Sequence, residues 1–84
     1  MSKITETPHI IKEYKNVYFV YKPPYWNCVT GDDYTKLKND KNIILNWIKD
    51  NLKISDDVNN LDDGYGLLNR LDAETSGIIM VAKI

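Results

Sequence analysis

With 84 residues, the chain can form one small domain whose apolar core is thin and whose independent stability is marginal. Its 43% hydrophobic and 27% charged residues suit a folded segment and exclude a chain disordered throughout. A formal charge of −1 leaves no general basic excess to neutralise phosphates, so any nucleic-acid contact must come from local sorting of charge or from surface elsewhere.

Single residues narrow the chemistry further. Cys28 is the only cysteine and His9 the only histidine, so an internal disulfide and a Cys/His metal cluster are both excluded. A Ser-His-Asp site would have to recruit His9 from the amino-terminal segment. The lack of disulfides fits a reducing compartment. Residues 1–9 hold no apolar core of a secretory signal, and no apolar run is long enough to cross a bilayer. The expected location is cytoplasmic, with no membrane partner.

Residues 1–8 are polar and are expected to be a flexible start, with the folded unit spanning residues 9–84. His9 to Tyr14 and Val17 to Lys22 are β-prone runs that form a tight hairpin at Lys15-Asn16, with Asn16 able to take positive φ. Pro23-Pro24 ends the second strand, because proline cannot donate to a ladder. Tyr25 to Asn39 has little periodicity and reads as a loop. Asp40 reads as the N-cap of an amphipathic helix running to about Leu52. Its apolar stripe is Ile44, Ile48 and Leu52, widened by Ile43, Leu45 and Trp47, and belongs to a core.

Ser55 to Gly64 is an acidic, Asn-rich connector. It fails as a calcium loop, because Leu61 interrupts the oxygen ligands begun at Asp57 and Asn59, and Leu68 stands where a bidentate Glu is needed. Gly66 to Leu71 is a strand candidate, and the apolar run from Ile78 to Ala82 reads as a strand buried on both faces. The sequence ends at Ile84 directly after it, which suggests an incomplete unit or one that needs a partner.

Between the last two strand candidates lies the segment with the most chemical content. Arg70 is the only arginine and stands two residues before Asp72. If Leu71 faces the core, the period of two puts Arg70 and Asp72 together on the opposite face. A cation there favours the ionised carboxylate. Thr75 and Ser76 add hydroxyls, and Gly77 permits close backbone approach. The residues alone also fit a plain turn, since Asp and Ser bond their own backbone and Gly closes turns. An aspartic-protease site would need Thr or Ser directly after Asp72 and a second copy of the segment, and neither is present.

Asn69 to Lys83, reading NRLDAETSGIIMVAK, resembles the signature of the RluA family of RNA pseudouridine synthases. That signature is Arg-Leu-Asp, two free positions, Thr-Ser-Gly, an aliphatic strand and Ala-Lys. Arg70, Leu71, Asp72, Thr75, Ser76, Gly77, Ala82 and Lys83 match it, and the Ala-Lys ending is nearer to this family than to the related RsuA branch. Val20 to Trp26, reading VYKPPYW, resembles an earlier element of the same family in which Lys-Pro-Pro-Gly-Trp is common. The two matches together span most of residues 10–84. Asn69 stands where His is usual, and Tyr25 where Gly is usual. If that glycine has positive φ, Tyr25 strains the loop by ~1–3 kcal/mol.

The resemblance implies a mixed α/β, largely antiparallel fold (an α+β domain), here only the N-terminal portion of the catalytic domain. It implies isomerisation of uridine in rRNA or tRNA without metal or cofactor. Asp72 would be the catalytic carboxylate and Arg70 the cation beside it, helping to hold the target nucleotide out of the stack. Asn69, Thr75 and Lys22 would lie on the substrate side, Thr75 with Ser76 and Gly77 shaping the turn; Lys22 and Lys83 could meet phosphate, although lysines at strand ends are more often simply solvated. Cys28 reads as an inert small hydrophobe. The family's later motifs have no counterpart before Ile84, so the expected partners are RNA and a remaining catalytic-domain segment or partner chain. Two other readings stand beside this one: a truncated, inactive fragment, and a small RNA- or protein-binding module.

Overall fold

The computed structural model describes residues 6–40, 42–55 and 66–83. Three strands, β1 (His9–Glu13), β2 (Val17–Lys22) and β3 (Gly77–Ala82), form one antiparallel sheet in the order β1-β2-β3. Among the described residues, two helices, α1 (Gly31–Leu37) and α2 (Ile44–Asn51), lie between β2 and β3 in the chain. This is a small α+β fold with an antiparallel sheet, the class that the resemblance implied. Among the described residues no helix is long and apolar enough to cross a membrane.

The hairpin forms where Lys15-Asn16 predicts it, closed by the Tyr14 N–H donating to the Val17 carbonyl at 2.8 Å. Asn16 does not use positive φ; among the described non-glycine residues only Tyr25 and Asn42 do. A register shift between Ile10 and Lys12 bulges β1, every residue of which is exposed. Residues 6–8, expected to fray, instead return to the fold. The Trp26 indole Nε1–H donates to the Glu6 carbonyl at 3.2 Å, and Pro8 is buried.

Strand alternation decides the core. Tyr18 and Val20 of β2 and Ile79 and Val81 of β3 face one side and are buried against Ile44, Ile48 and Leu52, with Trp26 and Cys28 completing the cluster. Each fully buried aliphatic side chain there contributes about 1.5–3 kcal/mol. The expectation that β3 is buried on both faces is corrected: Ile78 is 51% exposed, and Met80 and Ala82 are half-buried. Helix α2 packs on the face of Tyr18, Val20, Ile79 and Val81, and the other face of β3 keeps solvent access.

Two helical boundaries also differ. Residues 31–37, read as loop, form α1. Asp32 and Asp33 sit in its first turn and Lys36 in its last, matching the helix dipole. Tyr34 anchors it against Ile43 and Leu45, and its hydroxyl donates to Asn46 Oδ1 at 2.6 Å. Asp40 is not the N-cap of α2, a place that Ile43 takes; its N–H donates to the Leu37 carbonyl and finishes the turn after α1. Helix α2 starts later because Ile43 is held extended in a parallel bridge to Asn27. Asn27 receives the Ile44 N–H and donates its own N–H to the Asn42 carbonyl, each at 2.9 Å.

The expected strand over residues 66–71 is reduced to one bridge, Leu67 to Val81. Beyond it the Leu68 N–H donates to the Met80 carbonyl at 2.8 Å, so the segment still runs along the free edge of β3. Apart from Ser55, the acidic connector, with the rejected calcium loop, lies almost wholly outside the described residues.

Candidate functional site

At the end of the sheet where Lys22 pairs with Gly77, the chain makes the turn that carries Asp72. The Thr75 N–H donates to the Asp72 carbonyl at 2.9 Å and closes it. The residues around Lys22 hold this turn from below. Lys22 is fully buried, and its Nζ donates to the carbonyls of Pro23 at 2.9 Å, Ala73 at 3.1 Å and Thr75 at 2.6 Å. The Tyr25 N–H donates to the Ala73 carbonyl as well. Tyr25 adopts φ +70 there, so the condition under which Tyr in place of Gly strains the loop is met. The Lys-Pro-Pro-Tyr-Trp segment and the Asp72 segment are therefore one unit in space.

This corrects the expectation for Lys22. Its ammonium does not sit at a solvated strand end in reach of phosphate, since three carbonyls saturate its donors. Burial pushes the Lys22 ammonium below its usual range, opposed by the charges of Cys28 and Glu74. Lys83 is likewise engaged: its Nζ bonds Glu13 Oε2 at 2.7 Å and the Tyr14 carbonyl at 3.0 Å.

Leu71 packs against the core, and Arg70 and Asp72 on either side of it are exposed, as the alternation requires. Both line a cleft of about 550 Å³ whose walls are residues 27–29 and 70–73. Within the described residues neither side chain makes a hydrogen bond or ion pair, so Arg70 is not locked onto Asp72. Both remain free to meet a ligand.

Asn69 is placed differently from the expectation of a substrate contact. Its Oδ1 accepts the Met80 N–H at 2.7 Å, and its Nδ2 approaches the Ile78 carbonyl at 3.5 Å. The side-chain amide thus continues the β3 ladder where the backbone has diverged. Thr75 is exposed and enters the site through its backbone, as the partner of both Asp72 and Lys22.

Cys28, read as inert filling, is buried in the core yet also lines the cleft. Burial raises its thiol above the usual range, against the lowering influence of a backbone hydrogen bond from Leu71 and the charges of Lys22 and Arg70. At neutral pH it is a thiol, not a nucleophile. Asn27 and Val29 were not singled out from sequence, and nothing in their residue types would have done so. They reach the cleft because the Asn27–Ile43 bridge fixes the strand-like path after Trp26. Comparison of the chain with protein-family models, with curated proteins and with solved structures finds no match in any of the three.

Proposed function

We propose that the chain carries the aspartate-bearing part of an RNA pseudouridine synthase site, with Asp72 as the catalytic carboxylate. One observation carries the reading beyond the motif itself. The two segments that resemble the family in sequence, separated by half the chain, meet through Lys22 and Tyr25 at the carbonyls of the Asp72 turn. A chance pattern in a surface turn has no reason to be held by a buried ammonium.

The chemistry follows from that placement. In the isomerisation the N1–C1′ bond of uridine breaks, the uracil turns, and a C5–C1′ bond forms. The proton lost from C5 is balanced by one gained at N1. Asp72, exposed at the cleft with no competing internal partner among the described residues, has an oxygen available to attack as nucleophile or to assist deprotonation. Arg70 supplies positive charge on the same wall and can hold the displaced nucleotide, since extrusion of a base costs a few kcal/mol. No metal or cofactor has a part in this sequence of steps.

The deciding experiment incubates the chain with uridine-containing RNA and counts pseudouridine by nucleoside mass spectrometry, alongside Asp72→Asn. If the chain acts alone, product forms with the wild type and not with the variant; no product from either removes activity of this chain by itself and leaves the fragment reading. Product that persists with Asp72→Asn would remove Asp72 from the mechanism.

A further inference from the structure

Tyr25 combines features that packing within the chain does not explain. Its backbone lies at φ +70, a conformation that Gly or Asn adopts readily and an aromatic residue rarely does. Its side chain is 54% exposed. Neither its ring nor its hydroxyl contacts another described residue through a hydrogen bond or ring pair. The backbone function of the position, donation of the N–H to Ala73, needs no side chain. Glycine would meet it without strain.

A strained conformation that persists with an open aromatic side chain points to something outside the chain. The position is tied by its own N–H to the carbonyl of Ala73, which follows Asp72 and lines the same cleft as Arg70 and Asp72. Aromatic rings beside such a site suit unpaired bases, because every base has a π-face and stacking requires no desolvated polar partner. We infer that Tyr25 is a base-stacking residue that holds an unpaired nucleotide of single-stranded RNA beside the Arg70–Asp72 cleft. This rests on the RNA reading of the site but not on the catalytic role of Asp72. Stacking of this kind supplies affinity more than sequence choice.

The test compares wild type, Tyr25→Gly and Tyr25→Phe. Affinity for a labelled single-stranded uridine-rich RNA is read by fluorescence anisotropy, folding by thermal melting, and pseudouridine in parallel. Tyr25→Gly is expected to melt higher than wild type yet bind about 5- to 100-fold more weakly. Tyr25→Phe, which keeps both strain and ring, is expected to bind near the wild-type affinity. Tyr25→Gly binding as tightly as wild type overturns the inference, and product formation by that variant at the wild-type rate would leave the synthase reading intact. Tyr25-dependent binding without product upholds the stacking and removes activity of this chain by itself. A wild type that binds no RNA overturns both.

Discussion

Replacement of Lys22 by methionine tests the internal support of the Asp72 turn most directly. Methionine matches the length and much of the volume of the lysine stem, so the loss is confined to the ammonium. Three carbonyls then lose a donor, but Ala73 keeps the Tyr25 N–H, so Pro23 and Thr75 are left short. An unsatisfied buried carbonyl costs about 1–3 kcal/mol, so the two together cost about 2–6 kcal/mol. Relief from burying an unpaired charge offsets part of this, and a net loss of about 1–4 kcal/mol is expected. For a domain of this length each kcal/mol lowers Tm by about 4–8 °C. Thermal melting supplies the magnitude, and amide exchange at Ala73 to Ser76 locates it. If Lys22→Met melts with the wild type and keeps the same exchange in that turn, the ammonium does not hold Asp72 in place.

Lys22 also makes a pH prediction with a definite sign. Its folded value is lowered, so just below the usual lysine range the unfolded chain binds more protons than the folded one, and stability rises with pH through that window. Paired urea titrations of wild type and Lys22→Met are expected to show the difference moving in favour of the wild type as pH rises toward ordinary lysine titration. Gly66→Ala should be among the most damaging single changes. Its φ is +87, and an added Cβ would lie 2.6 Å from the Ala82 carbonyl oxygen, so a loss above about 2 kcal/mol is expected in denaturant unfolding. Asn69→Ala removes the acceptor for Met80 and should cost about 0.5–1.5 kcal/mol while exposing that amide to faster exchange. Cys28 should react slowly with a thiol reagent at neutral pH, and at the rate of an exposed cysteine only once the protein is unfolded.

The local patterns settled a good deal of this molecule. The β-prone run over residues 17–22 marked β2. The stripe of Ile44, Ile48 and Leu52 named the buried side of α2. With Leu71 turned inward, the period of two put Arg70 and Asp72 outward. These succeeded because each depends on neighbours in the chain. Tertiary contacts decided the rest. Helix α1 has only seven residues, too few for a periodic signal, and exists because Tyr34 finds Ile43 and Leu45. Helix α2 starts late because Asn27 claims Ile43 first, and Asn69 serves β3 because the backbone beside it stops pairing. Above all, a lysine at a strand end reads as solvated until the fold places Ala73 and Thr75 over it. Asp72 and its motif were visible in the linear order of residues. The ammonium that holds its turn could be seen only in three dimensions, because a hydrogen bond between residues far apart in sequence leaves no local trace.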